Sequence, residues 1–127
     1  MDGLVQWYDA QLDEDERIAQ RAGDTFRQIG ETGVIVATEG DRAEECASAN
    51  WAGIAEHIVR HDPARVLREI DAKRRLLDLH ARAHHQCVAE DGPTQWHVKD
   101  PCATLRLLAL PYADRPGYRE EWAPTGR

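Results

Sequence analysis

HDPARVLREIDAKRRLLDLHARAHH, residues 61–85, is the stretch whose reading decides the fold. Asp62-Pro63 opens it as a helix. Aspartate accepts the unpaired backbone N–H groups of a first turn, and proline has no N–H to leave unpaired there. Beyond that cap, Val66, Leu67, Ile70, Leu77 and Leu79 supply an apolar side at helical spacing. Glu69 stands four residues before Lys73, Asp71 before Arg75 and Asp78 before Arg82, the acid-first order that supports a solvated helix flank. The stretch therefore reads as a third helix, from Pro63 to about His85.

Working upstream, Leu4 to about Phe26 reads as a first helix. Leu4, Tyr8, Leu12 and Ile18 fall near one face, the Asp13–Glu16 run faces solvent, and Asp13 pairs with Arg17 at helical spacing. Gly30 and Gly33 interrupt the pattern. Val34-Ile35-Val36 is β-branched and Glu39-Gly40-Asp41 is turn chemistry, so Val34–Thr38 and Arg42–Cys46 read as a hairpin. Trp51 to Arg60 reads as a second helix with Trp51, Ile54 and Ile58 inward.

Downstream, Glu90 to Pro93 reads as a loop. Asp100-Pro101 repeats the cap-plus-proline signal and opens a fourth helix, Cys102 to Leu110, with Leu105, Leu108 and Ala109 buried and Pro111 ending it. Tyr112 to Trp122 contains Pro116-Gly117 and reads as a turn before a last short helical stretch. The expected class is α+β, mainly helical: about four helices with a small two-stranded hairpin. It is expected to form a single domain over 1–127, with a variable loop at 86–100 and a frayed tail at 123–127.

With 127 residues, 42% hydrophobic and 31% charged, the chain has the composition of an ordinary globular domain. Its net charge of -7 repels phosphate backbones, so non-specific nucleic-acid binding is disfavoured. No apolar run approaches a membrane span, and Met1-Asp2-Gly3 has neither the basic nor the apolar part of a signal peptide. Three unevenly placed cysteines, Cys46, Cys87 and Cys102, fit a reducing cytoplasm rather than a disulfide framework.

Two blocks carry a family likeness: HIVRHDPARVLREIDAKRRLL (57–77) and LRLLALPYADRPGYREEW (105–122), together with the opening Leu4–Ile18 and its DEDERIA run. In these the chain resembles the actinobacterial and actinophage proteins grouped as the domain-of-unknown-function 6221 family. The resemblance implies no assigned activity. It does imply a region of variation between the third helix and the C-terminal block, where many members have a cysteine-rich insertion ending in Pro-Cys. Pro101-Cys102 matches that ending, whereas His84-His85-Gln86-Cys87 stands where some members show a Cys-x-x-Cys pair.

Four constellations could carry chemistry. His80, His84, Cys87 and Cys102, with His97 as a competing ligand, have the sulfur and imidazole donors that suit a four-coordinate structural zinc. Cys102 is the first choice because a helix start favours thiolate. The plainer alternative is histidines on a polar helix end and cysteines as small core residues. His57, His61 and Asp62 resemble a metal hydrolase set, but Ile58 stands where a zinc protease has its glutamate, and Asp62 is better explained as the N-cap. Arg68, Arg75 and Arg82 recur every seven residues and line one face, as a grip for phosphates or acids or as a solvated face paired by its own carboxylates. Among the tryptophans, Trp7 and Trp51 read as core, and Trp96 and Trp122 as contact residues.

The favoured reading is a small accessory domain with a protein partner, pinned by structural zinc and not an enzyme. A nucleic-acid-associated regulator using the basic helix face comes second, and a metal-dependent hydrolase third. The third helix is expected to organise the core through Leu67 and Ile70. Replacing Ile70 by Ala should cost ~2–5 kcal/mol in a urea or thermal melt, as cavity-forming truncations do. A midpoint that hardly moves would remove Ile70 from the core.

Overall fold

The computed structural model describes residues 3–81, 85–88, 94–97 and 102–124, the segments 85–88 and 94–97 by their backbone. Along the chain run α1 (Leu4–Ala22), β1 (Thr25–Gln28), β2 (Val34–Glu39), β3 (Arg42–Ser48), α2 (Ala52–Arg60), α3 (Pro63–Ala81), β4 (His85–Val88), β5 (Thr94–His97) and α4 (Ala103–Ala109), with 3₁₀ turns at Leu110–Tyr112 and Glu120–Trp122. This is an α+β arrangement. The chain divides into two compact units, residues 14–71 and residues 1–13 with 72–127.

In the unit 14–71 the strands form an antiparallel sheet in the order β1-β2-β3. The expected hairpin is therefore one side of a three-stranded sheet. α1 stops at Ala22, short of Phe26, because Gly23 takes φ +113, a left-handed conformation that glycine adopts without cost. That frees Thr25–Gln28 to pair with Ile35–Thr38, Thr25 opposite Thr38 with their hydroxyls in contact. Four residues of mixed polarity give too short a pattern to read as a strand. On the other side, the β2–β3 register shifts between Ile35, opposite Ala47, and Val36, opposite Glu45, so Cys46 is the extra residue of a bulge. β3 is exposed along its whole length.

α2 packs on β1 and β2. Its buried residue is Ala55, not the expected Trp51 or Ile58: Ile58 is 37% exposed, Trp51 64%, and Ile54 is half-buried. A small residue lets the helix approach the sheet closely. Trp51 is the N-cap, with extended backbone (φ -149, ψ 163), and so lies off the helix face. Ile35, Ala19 and Ile70 complete the apolar centre of this unit, with Pro63. Ile18, expected inward, is 52% exposed.

The other unit buries larger side chains: Leu4, Tyr8, Leu12, Leu77, Leu105, Tyr112 and Trp122, with Cys102 among them. Along α3, Ile70 and Leu77 stand seven residues apart and are both buried. Leu79, two positions on, points elsewhere and is 58% exposed, and Leu67 is half-buried. α3 ends at Ala81, before the expected His85, which belongs to β4. β4 and β5 pair antiparallel inside the stretch expected as a loop, with His85 opposite His97 and Cys87 opposite Gln95.

Around the C-terminal block, Trp7 packs edge-on to Tyr118 at 5.5 Å and against Trp122 at 5.5 Å, and Tyr118 meets Trp122 at 5.7 Å. The Trp7 indole N–H donates to the Pro116 carbonyl at 2.9 Å. Gly117 lies against that ring at φ +92, where a Cβ would come within 2.7 Å of Trp7 Nε1, so both conformation and space require glycine. Pro111 does not break the chain after α4. It sits in the first turn of the Leu110–Tyr112 3₁₀ helix, where a missing N–H does no harm.

Tyr8 is buried at 1% exposure, edge-on to Tyr112 at 5.6 Å, and its hydroxyl has no hydrogen-bond partner among the described residues. Burial first, and Tyr112 second, hold its pKa well above the ordinary phenol value. The folded state thus keeps the proton where the unfolded chain has lost it. The stabilisation is complete below about pH 10 and is lost as pH rises beyond. Tyr8→Phe removes a buried hydroxyl that forms no bond, so it should raise stability at neutral pH by about 1 kcal/mol or more. It should also flatten the alkaline fall seen in urea melts above about pH 10. A destabilised variant would show that the hydroxyl is satisfied.

Candidate functional site

Of the expected metal ligands, the structure places two together. His80 lies in the last turn of α3 and is half-buried; Cys102 precedes α4 and is 1% exposed. Their Nδ1 and Sγ atoms are 3.5 Å apart. Cys102 is itself the N-cap of α4, with extended backbone (φ -78, ψ 170) and no side-chain capping bond. The expected first-turn position is thus corrected by one step, and Asp100 and Pro101, assigned the opening of the helix, lie outside the described residues. So does His84, as do the side chains of Cys87 and His97, whose backbones belong to β4 and β5. The β4 backbone runs beside α4 in the same unit, which brings the Cys87 position toward the helix that Cys102 opens.

Among the described residues no group of three or more His, Cys, Asp or Glu side chains converges as a metal site. His57 and His61, one helical turn apart at the end of α2, stack at 4.4 Å. His61 Nδ1 lies 2.7 Å from the His57 carbonyl, and since that oxygen only accepts, Nδ1 carries the proton. Asp62, the third member of the hydrolase set, is committed elsewhere. One carboxylate oxygen accepts the Arg65 N–H at 3.0 Å and the other the Phe26 N–H at 3.1 Å. It caps α3, as its place before Pro63 implied, and also holds the start of β1.

The basic face is less open than its spacing implied. Arg68 and Arg75 are exposed, and Arg82 lies outside the described residues. Their basic neighbours are engaged: Arg65 Nε donates to Glu69 at 2.7 Å, Arg74 meets Asp13 at 2.6 Å, and Lys73 donates to the Tyr112 hydroxyl at 2.9 Å. Glu69 thus accepts from the turn before it.

The tryptophan assignments are partly reversed. Trp122, expected as a contact residue, is 2% exposed beneath Trp7 and Tyr118, because the chain folds back at Gly117 to lay it on α1. Trp51, expected in the core, is 64% exposed. Trp7 is half-buried, and the Trp96 side chain lies outside the described residues. Sequence reasoning passed over Arg60, although HIVRH places His57, Arg60 and His61 at i, i+3 and i+4, on one helix face.

Because Asp62 makes two separate backbone bonds, Asp62→Ala should cost more than an ordinary cap, about 2 kcal/mol or above. Asp62→Asn, which keeps one acceptor oxygen, should recover part of that loss. Equal melting midpoints for wild type and Asp62→Ala would remove both bonds from the account.

No helix among the described residues is long and apolar enough to cross a membrane. No curated protein and no solved structure matches the chain. The family of unknown function DUF6221 matches it over residues 1–124, and the chain belongs to that family.

Proposed function

We propose that the protein is a small partner-binding accessory domain, not an enzyme, in which a structural zinc ties the end of α3 to the start of α4. The observation that carries the zinc is the His80–Cys102 contact. Two ligands of a tetrahedral zinc, sulfur at about 2.3 Å and nitrogen at about 2.0–2.1 Å, stand about 3.5–3.6 Å apart. The 3.5 Å between Cys102 Sγ and His80 Nδ1 fits that geometry, as it also fits an S–H···N hydrogen bond. Cys87 and His97, expected as ligands from the sequence, lie on the segment joining the two residues. His85 and His97 are direct cross-strand partners, and Cys87 follows two residues along β4. A short two-stranded hairpin is marginal by itself, so a metal at its base would have a clear structural use.

Partner binding is supported by surface that the fold leaves apolar, notably Trp51 and Ile18 in the unit 14–71. A protein partner suits the chain better than nucleic acid, given the net charge of -7. The hydrolase reading loses Asp62 to its capping bonds.

Protein purified without chelator or polyhistidine tag should contain one zinc per chain. Cys102→Ser should lose it, while Cys46→Ser, at the exposed bulge, keeps it. Chelation should lower the melting temperature of the wild type and leave Cys102→Ser unchanged, because zinc-binding energy is folding energy. Metal-free protein with an unaltered melt would reduce His80 and Cys102 to a hydrogen-bonded pair.

A further inference from the structure

Two neighbouring concavities in the unit 14–71 share one wall. The first is an apolar cup of about 290 Å³ formed by Ile18, Ala19, Ala22, Phe26, Pro63 and Val66. The second is a cleft of about 360 Å³ along the end of α2, lined by Gly53, Glu56, His57, Arg60 and Arg65. His61 lines both. The cup is built by a stripe of α1 at i, i+1 and i+4, together with β1 and the first turn of α3, and Ile18 is left 52% exposed on its rim. Asp15 also stands on that rim.

The cleft is cationic in an acidic chain. Arg65 is partly engaged, its Nε with Glu69 at 2.7 Å and its Nη1 with the Arg60 carbonyl at 3.2 Å. The Arg60 guanidinium has no side-chain partner among the described residues, and Glu56 is the one carboxylate lining the cleft with it. A guanidinium with its planar fork free is suited to carboxylate, sulfonate or phosphate oxygens. The cup beside it offers apolar area for a ring or branched chain, and together the two have the volume of a small-molecule site.

We propose that this surface binds a small amphiphilic anion, its apolar body in the Ile18–Phe26–Val66 cup and its acidic head on Arg60, with His61 between them. The site lies within the unit 14–71 and does not depend on zinc at His80 and Cys102.

The probe is 1-anilinonaphthalene-8-sulfonate, whose aromatic body and sulfonate match the two halves, against N-phenyl-1-naphthylamine, which lacks the sulfonate. Fluorescence titration should give one saturable site for the anionic dye. Arg60→Gln should weaken it by roughly tenfold, the loss of one charge-assisted hydrogen-bonded contact. Ile18→Ser should weaken both dyes, and Arg60→Gln should leave the neutral dye unchanged. Amide shifts on saturation should centre on Phe26, His57, His61 and Val66. Circular dichroism and melts of the two surface variants check that they fold. Equal affinity for the two dyes, an anionic-dye affinity untouched by Arg60→Gln, or shifts centred elsewhere would overturn the site.

Discussion

The carboxylate of Asp62 is the joint on which the unit 14–71 depends. One oxygen takes the Arg65 N–H and so starts α3; the other takes the Phe26 N–H and fixes the first strand residues beside that helix start. A third bond, from the Ala64 N–H to the Asp24 carbonyl at 2.8 Å, ties the same two segments backbone to backbone. Helix starts leave four N–H groups without intrahelical partners, and this corner accounts for three of them: Pro63 has none, Ala64 donates to the Asp24 carbonyl and Arg65 to the Asp62 carboxylate. The three-stranded sheet, α2 and the cup all follow from where that corner puts β1.

The unit formed by 1–13 with 72–127 is held differently. Its centre is aromatic: Trp7, Tyr118 and Trp122 in mutual contact, and Tyr8 against Tyr112. Two cations finish the edge of Tyr112, Lys73 bonding its hydroxyl and Arg115 over its ring at 4.7 Å. The 14–71 unit buries alanines at the points of close packing and keeps several of its larger apolar side chains at the surface. Both units leave apolar side chains in solvent, Leu79 and Leu107 in the one and Ile18 and Trp51 in the other, and only Ile18 lies on the rim of the cup.

Cys102 shows how far spacing can reach. The sequence marked Cys102 through the proline-flagged helix start but left His80, His84 and His97 as competing partners; the structure puts His80 beside it because α3 ends at Ala81. The other ligands proposed from the sequence, His84, Cys87 and His97, fall in a stretch whose short strands were not legible as strands. The His57–Arg60–His61 face is present in HIVRH but was not read from it, because it gains meaning only beside a cup whose walls come from α1, β1 and α3.

By itself the sequence determined the helices, the Asp62 cap, the α+β class and the family, because capping chemistry and the 3.6-residue period are local properties written in neighbouring residues. It also determined that Leu4, Tyr8, Leu12, Ile70, Leu77 and Leu105 would be inside, since each recurs on one face. The tertiary structure decided what depends on distant partners. β1 exists as a strand because β2 is there to pair with it, and Trp122 is buried because Gly117 turns the chain back onto Trp7. Trp51 is exposed because its helix begins one residue later. A strand edge, a covering ring and a helix register are each set by a neighbour many residues away, and no window along the chain contains both partners.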